Sequence, residues 1–257
     1  MARPATLESH ALSMPSAAAV LSFETLTIGV GVAAVRVPAA QIYCGTGAIL
    51  SPVRQESGEQ SGDLSAAMAR VMATLTPTQA GQLLVFGENP WAISYLELCR
   101  LRRRLGFVPG RGGLLSNRTL LENVALPLSV HAGTDHSREQ ELALQALDRL
   151  AIGQLAHRFP HAIDGPARFA ACVARAMVLQ PELMIIEGVG DFEAESDGSH
   201  AWRVIASAVV EQRCGVVVCL ARPAPAFERW WGRSGLATLA VEAESADAAP
   251  AASGGGA

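Results

Sequence analysis

Lysine, the compact point charge that proteins use to hold a phosphate, is absent from this chain of 257 residues; all 20 basic residues are arginine. Few other side chains are spaced for chemistry. The five cysteines, Cys44, Cys99, Cys172, Cys214 and Cys219, form no CxxC pair. Cys172 and Cys219 lie in apolar runs, so they read as small buried hydrophobes in a reducing compartment. His157 and His161 are four apart, but Pro160 between them breaks a helix that could bring both to one metal ion; no metal site is expected. Gly110-Arg-Gly-Gly113 is either an anion-binding nest of backbone N–H groups or a plain flexible loop. Gly58-Glu-Gln-Ser-Gly-Asp63 is a second polar, glycine-containing stretch that carries two carboxylates.

The length suits one sizeable domain, and a hydrophobic content of 50% supplies its core. No charge-free apolar run reaches the roughly 18 residues of a membrane span, and a signal peptide is not expected ahead of Glu24. A net charge of −4 argues against a nucleic-acid binder, with Arg100–Arg104 (Arg-Leu-Arg-Arg-Arg) a local exception.

Residues 1–20, rich in Ala, Ser and Pro, read as a loose tail. Leu21–Ile28 alternates and reads as one strand, with short strands expected at Val35–Val37, Ile42–Cys44 and Gly47–Val53. Ser57–Asp63 reads as a loop. Leu64–Leu75 has helical spacing up to Pro77, and Gln82–Phe86 is strand-like. Ser94–Leu105 reads as a basic amphipathic helix, Gly106–Val108 as a strand, and Thr119–Leu128 as a helix that Pro127 ends. Ser137 with Gln140 fits a capping box, placing Ala143, Leu147 and Leu150 on one face of the following helix. Arg168–Leu179 reads as a helix, Leu183–Ile186 as a buried strand, Ala201–Gln212 as a helix and Gly215–Leu220 as a second buried strand. After Val241 there is no fold signal. Alternating strands and helices define an α/β domain with buried parallel strands, interrupted by an inserted helical lobe over about residues 94–175.

Two segments carry a resemblance: Gly112–Leu128 (GGLLSNRTLLENVALPL) and Val173–Ile186 (VARAMVLQPELMII), with support from Gly81–Pro90. Over about residues 21–240 the chain resembles an ABC transporter ATP-binding subunit, nearest the Mla-type lipid-trafficking branch. The resemblance implies a P-loop NTPase-like fold with a parallel-sheet core, N-terminal antiparallel strands and an inserted helical subdomain, followed by a disordered tail at 241–257.

The nucleotide motifs implied by the resemblance are degenerate here. The phosphate loop falls on Gly58–Ala67, with Gly58 and Gly62 as its glycines and Leu64 or Ser65 at the lysine position. Glu59 and Asp63 would face the triphosphate, and two unit charges about 4 Å apart repel by about 4 kcal/mol at an effective dielectric near 20. The adenine-stacking position is Val30, which has no ring. The γ-phosphate-sensing glutamine falls on Gly110. The signature motif reads Ile163-Asp-Gly-Pro-Ala167: Asp164 puts a carboxylate where serine donates, Gly165 remains, and Pro166 lacks an N–H. Glu187 takes the metal-binding Asp position and could still touch Mg²⁺, Gly188 takes the general base's place, and Leu220 that of the switch histidine. The segment Asp191–Ser199 shows none of the family's Ser-Gly-Leu-Asp pattern.

These departures, set within a hydrophobic frame that fits, imply a non-catalytic cassette that binds no cofactor and docks on an integral-membrane permease. Its dimer partner is a second copy or an intact ABC ATPase, and its expected location is the inner face of the cytoplasmic membrane. Gly110, Arg111, Gly112, Leu114, Leu115 and Asn117 are the expected permease contacts. The alternatives are a working subunit with divergent motifs, using ATP and Mg²⁺, or a soluble regulatory adaptor.

Overall fold

The computed structural model describes residues 18–30, 33–52, 60–110, 113–131, 133, 135–188, 200–211, 213–221, 224, 227, 231–232 and 237–244. The chain opens with β1 (Leu21–Phe23), β2 (Leu26–Val30), β3 (Ala33–Val37), β4 (Ala40–Ile42) and β5 (Gly47–Pro52). Helix α1 (Gln60–Met72), β6 (Leu83–Val85), α2 (Tyr95–Arg103) and β7 (Leu105–Val108) follow. Then come α3 (Leu120–His131), α4 (His136–Arg149), α5 (Gly165–Met177), β8 (Leu183–Glu187), α6 (His200–Val210), β9 (Gly215–Cys219) and β10 (Ala237–Glu244).

The main sheet has the order β2-β3-β10-β5-β9-β8-β7. Its β10-β5-β9-β8-β7 stretch is parallel throughout, and β3 runs antiparallel to β2 and β10. A smaller antiparallel sheet, β4-β1-β6, stands beside it. Strands β8 and β9 are apolar at nearly every position because both faces of the sheet are covered. The period-2 alternation then divides their side chains between two cores. Ile49, Met184, Ile186, Val216 and Val218 face the core built with α3 to α6. Leu50, Leu183, Ile185, Val217 and Cys219 face the core shared with α1 and the antiparallel strands.

Several expectations are corrected. Leu21–Ile28 is two strands, because the buried positions shift phase from Leu21 and Phe23 to Leu26 and Ile28 across exposed Glu24 and Thr25. Val20, assigned to the tail, is buried and bonded through its backbone to Ile42 and Phe86. The loop expected at Ser57–Asp63 is helical from Gln60, since an alanine-rich helix propagates into preceding residues once nucleated; residues 53–59 lie outside those described. Pro127 sits inside α3 rather than ending it. Burial of Leu120, Val124 and Leu128 along one face outweighs a proline penalty of roughly 3 kcal/mol.

Ser137 is not the cap of α4. Asp135, an equally good cap two residues earlier, accepts from the Arg138 N–H at 2.9 Å. The face of α4 is as expected, with Ala143, Leu147 and Leu150 buried. Strand β7 joins the main sheet, so the helical run over about 94–175 is interrupted by a core strand, and α3, α4 and α5 pack on one another after it. Past Val241 the chain is still a strand: Glu242, Ala243 and Glu244 pair with Arg36, Val35 and Ala34 of β3. That pairing is long-range, which is why local composition gave no sign of it.

Candidate functional site

In an open parallel sheet, ligands bind outside the carboxyl ends of the strands. Here β5, β7, β8 and β9 end side by side at Pro52, Val108, Glu187 and Cys219. The ends are tied together by backbone bonds: the Gly188 N–H donates to the Cys219 carbonyl at 2.8 Å, and the Leu220 N–H to the Leu50 carbonyl at 2.9 Å.

The residues that the resemblance assigns to a nucleotide site fall largely around this edge. Gly110, just past β7, lies so close to the end of β8 that a β-carbon on it would sit 2.8 Å from the Glu187 carbonyl oxygen. Gly188 has φ +52°, and a β-carbon there would lie 3.4 Å from Ser65 Oγ on α1. Ser65 is buried near the start of α1, and Glu187 is half-buried. Leu220 is buried in the apolar core and presents no polar group.

Helix α1 begins at Gln60, so Gly62, Leu64 and Ser65 all lie within it. Leu64 and Ser65 stand beyond the first turn, where backbone N–H groups already donate within the helix. Leu64 is 3% exposed and packs against the sheet. Val30 closes β2. Gly58 lies outside the described residues, as do Arg111, Gly112 and the Asp191–Ser199 segment.

The start of α5 explains what Asp164 and Gly165 do. Asp164 is the N-cap: its carboxylate accepts from the Ala167 N–H at 2.8 Å, and its carbonyl from the Arg168 N–H at 3.1 Å. Pro166 has no N–H to give. Of the three N–H groups on Gly165, Ala167 and Arg168, which would otherwise favour an anion, only that of Gly165 stays uncommitted among the bonds described. The carboxylate itself repels an anion.

The loop from Gly113 to Thr119 is fixed by two residues that the sequence reading left unassigned. Asn123, fully buried on α3, accepts from the Leu115 N–H at 2.6 Å. Its amide donates to the carbonyls of Leu115, Arg118 and Thr119 at 3.1, 3.1 and 2.9 Å. Arg175, on α5, donates to the Gly113 carbonyl, and burial pulls its guanidinium below the ordinary arginine range. The available signal was a lone arginine in the apolar run Phe169–Met177, and an asparagine at a core-facing position beside Val124. The result is a rigid loop with Leu114 turned toward the core and Leu115 left 42% exposed, next to exposed Asn117.

No protein-family model matches the chain. It is similar to the lipoprotein-releasing system ATP-binding protein LolD of Shewanella sp. (strain MR-4), with 31% identity over 138 residues, 53% of this chain and 59% of that protein. The cell division ATP-binding protein FtsE of Haemophilus influenzae is 32% identical over 136 residues, 52% of this chain and 62% of that protein. The methionine import ATP-binding protein MetN of Ralstonia nicotianae is 32% identical over 126 residues, 49% of this chain and 36% of that protein. The match thus spans less than two thirds of the length of each of these relatives. Among solved structures, the ATP-binding cassette MJ0796, a dimer bound to ADP and Pi, superposes with a TM-score of 0.62 at 20% identity, covering 78% of this chain and 87% of that one. The cbiO1 subunit of the ABC transporter complex cbiONQ from Clostridium perfringens gives 0.58 at 17% identity, covering 80% and 79%.

The architecture is that of an ABC ATPase cassette. The relatives it matches are ATP-binding proteins named for lipoprotein release, methionine import and cell division.

Proposed function

We propose that this chain is a non-hydrolysing ABC-type subunit that docks on an integral-membrane permease. The observation that carries the reading is the start of α1: the positions where a phosphate-binding lysine would stand are Leu64 and Ser65, buried inside the helix, and no lysine occurs elsewhere to replace them. The remaining groups agree with it. Gly188 offers no general base, Leu220 offers no polar contact, and Asp164 spends itself capping α5. This donor set does not fit Mg-ATP.

Its partner in the assembly is a second copy or an intact ABC ATPase, and its place is the cytoplasmic face of the membrane beside the permease. No helix among the described residues is long and apolar enough to cross a membrane. Lipid transport is the cargo reading we favour, on the Gly112–Leu128 segment and the similarity to a lipoprotein-releasing subunit. Relatives named for methionine import and cell division are equally similar, so that reading rests mainly on the segment.

Titration calorimetry with Mg-ATP on the purified chain tests the proposal. The expected result is no measurable binding. A dissociation constant below about 1 mM, roughly 4 kcal/mol of binding, overturns it in favour of the second reading, a working subunit with divergent motifs. One observation favours that second reading: Ser65 Oγ lies at the strand ends, 3.4 Å from where a β-carbon on Gly188 would stand. A third reading, a soluble adaptor, is distinguished by the absence of any permease on co-purification.

A further inference from the structure

We infer that α2 and the turn before it form a contact surface for an anionic lipid bilayer. Trp91, Tyr95 and Leu96 are 39%, 79% and 61% exposed and fall close together in the chain, on α2 and the turn before it. Helical spacing continues the two ridges that Tyr95 and Leu96 begin. Tyr95, Cys99 and Arg103 follow one another at four-residue steps, and Arg100 stands four after Leu96. Leu101, on the opposite side, is buried. The outward face therefore carries an aromatic and an aliphatic side chain at one end and two arginines at the other.

The charge is local. Ser94–Arg104 holds four arginines and one glutamate, a net +3, in a chain whose total is −4. Two of the arginines are spent internally. Arg102 donates to the Thr74 hydroxyl and carbonyl, and Arg104 makes a two-bond ion pair with Glu182 at 2.6 and 2.8 Å. Arg100 and Arg103 are exposed and hold no ion pair among the described residues. Two acids stand nearby, Glu97 on α2 and Glu88 in the turn before it. The Glu97 carboxylate accepts from the Ser94 N–H and hydroxyl at 2.9 and 2.7 Å, and Glu97 and Glu88 line a hollow shared with Arg100 and Arg104, which leaves Arg103 as the arginine set apart from both acids.

Trp and Tyr rings beside apolar and guanidinium groups, on a segment where arginines outnumber carboxylates, match the headgroup layer of an anionic bilayer. The same side chains are common in protein interfaces, but there they fill pockets. Here they project, and the charge complementarity is with a uniformly negative surface.

The test needs neither permease nor nucleotide, so it can fail independently of the proposed function. The full chain is floated with phosphatidylcholine vesicles, with and without about 30% phosphatidylglycerol. Binding is expected only with the anionic lipid, and it weakens from about 0.01 M to 1 M salt as the Debye length falls from about 30 to about 3 Å. The Arg100→Gln/Arg103→Gln variant lowers partitioning about 30-fold, from about 1 kcal/mol per arginine. Tyr95→Ser/Leu96→Ser removes binding with an unchanged melting temperature. Trp91 reports insertion by a blue shift in emission, which Trp91→Phe abolishes while flotation persists. Three outcomes overturn the inference: no flotation on anionic vesicles at low salt, binding that neither double variant reduces, and capture of a protein through this face while vesicles stay unbound.

Discussion

The backbone of Gly110 lies against the last residue of β8, so that a β-carbon at Gly110 would meet the Glu187 carbonyl oxygen at 2.8 Å and its carbonyl carbon at 3.3 Å. The neighbouring Gly188 is in the left-handed region, at φ +52°. The two positions where the family resemblance implies a glutamine and a glutamate are here built around glycine backbone, and refilling them is not a neutral edit. Gly110→Gln must push the β7 and β8 ends apart and is expected to cost about 1–3 kcal/mol, lowering the melting temperature by about 2–4 °C for each kcal/mol. Gly188→Glu carries a left-handed penalty of about 1–2 kcal/mol. Neither variant, nor the pair, is expected to release phosphate from ATP above the wild-type rate, because groups that act as a unit do not contribute additively. Phosphate release by Gly188→Glu clearly above wild type would show that the site needs only its base.

Asn123 holds the Gly113–Thr119 loop through four hydrogen bonds, all from one buried amide. Asn123→Ala leaves one N–H and three carbonyls without that partner. The expected loss is about 2–4 kcal/mol, on a scale of about 1 kcal/mol per bond and more for groups left unsatisfied. Urea denaturation measures the loss, and amide exchange at Leu115 shows whether the loop loosens first. An unchanged unfolding midpoint would mean that water replaces the amide.

Much of this organisation was legible in the sequence. The short, apolar, partly β-branched runs Leu183–Ile186 and Gly215–Leu220 read as doubly covered strands, and they are. Asp164 was readable as a cap because its carboxylate precedes a helix of apolar period. The phase break between Phe23 and Leu26 is equally present in the letters, where the apolar positions shift from odd to even numbers across Glu24 and Thr25. Three other features were not local. The extension of α1 back to Gln60 depends on helix cooperativity, the place of Pro127 on the tertiary burial of its neighbours, and β10 on partners some 200 residues away. At the site, residue types could be read but the Gly110–Glu187 and Ser65–Gly188 approaches could not, since each joins separate elements.

Buried thiols give a prediction with a sign. Burial pushes the Cys214 thiol up from 9.0 to about 12, and raises Cys172 and Cys219 as well. The folded pKa lies above the unfolded one, so this contribution is fully present below about pH 9 and is lost as the pH rises from 9 toward 12. In that window the unfolded chain releases a proton that the folded chain keeps. Stability should therefore fall between pH 9 and 11, and Cys214→Ala should flatten that slope even if it lowers stability at pH 7. In the native protein at pH 8 a thiol reagent should reach Cys44 and Cys99, which are half-buried, well before Cys172, Cys214 and Cys219. Equal reaction rates for all five thiols would contradict the packing described.

Leu114 and Leu115 are adjacent in the chain but opposite in environment. Leu114 packs against the core of α3 to α5, and Leu115 is 42% exposed on a loop that Asn123 and Arg175 hold rigid. The pair therefore separates folding from docking. Leu114→Asp buries an unpaired charge and should cost several kcal/mol of stability. Leu115→Asp should leave the melting temperature within a degree or two, because surface changes stay within about 0.5 kcal/mol. If the chain docks on a permease through this loop, the same Leu115→Asp places a charge in a desolvated interface, where such changes typically cost 2 kcal/mol or more. That corresponds to a loss of about 30-fold in affinity and should abolish co-purification with the membrane subunit. A folded Leu115→Asp protein that still co-purifies at wild-type yield would move the docking surface away from Gly110–Asn117 while leaving the rest of the proposed function intact.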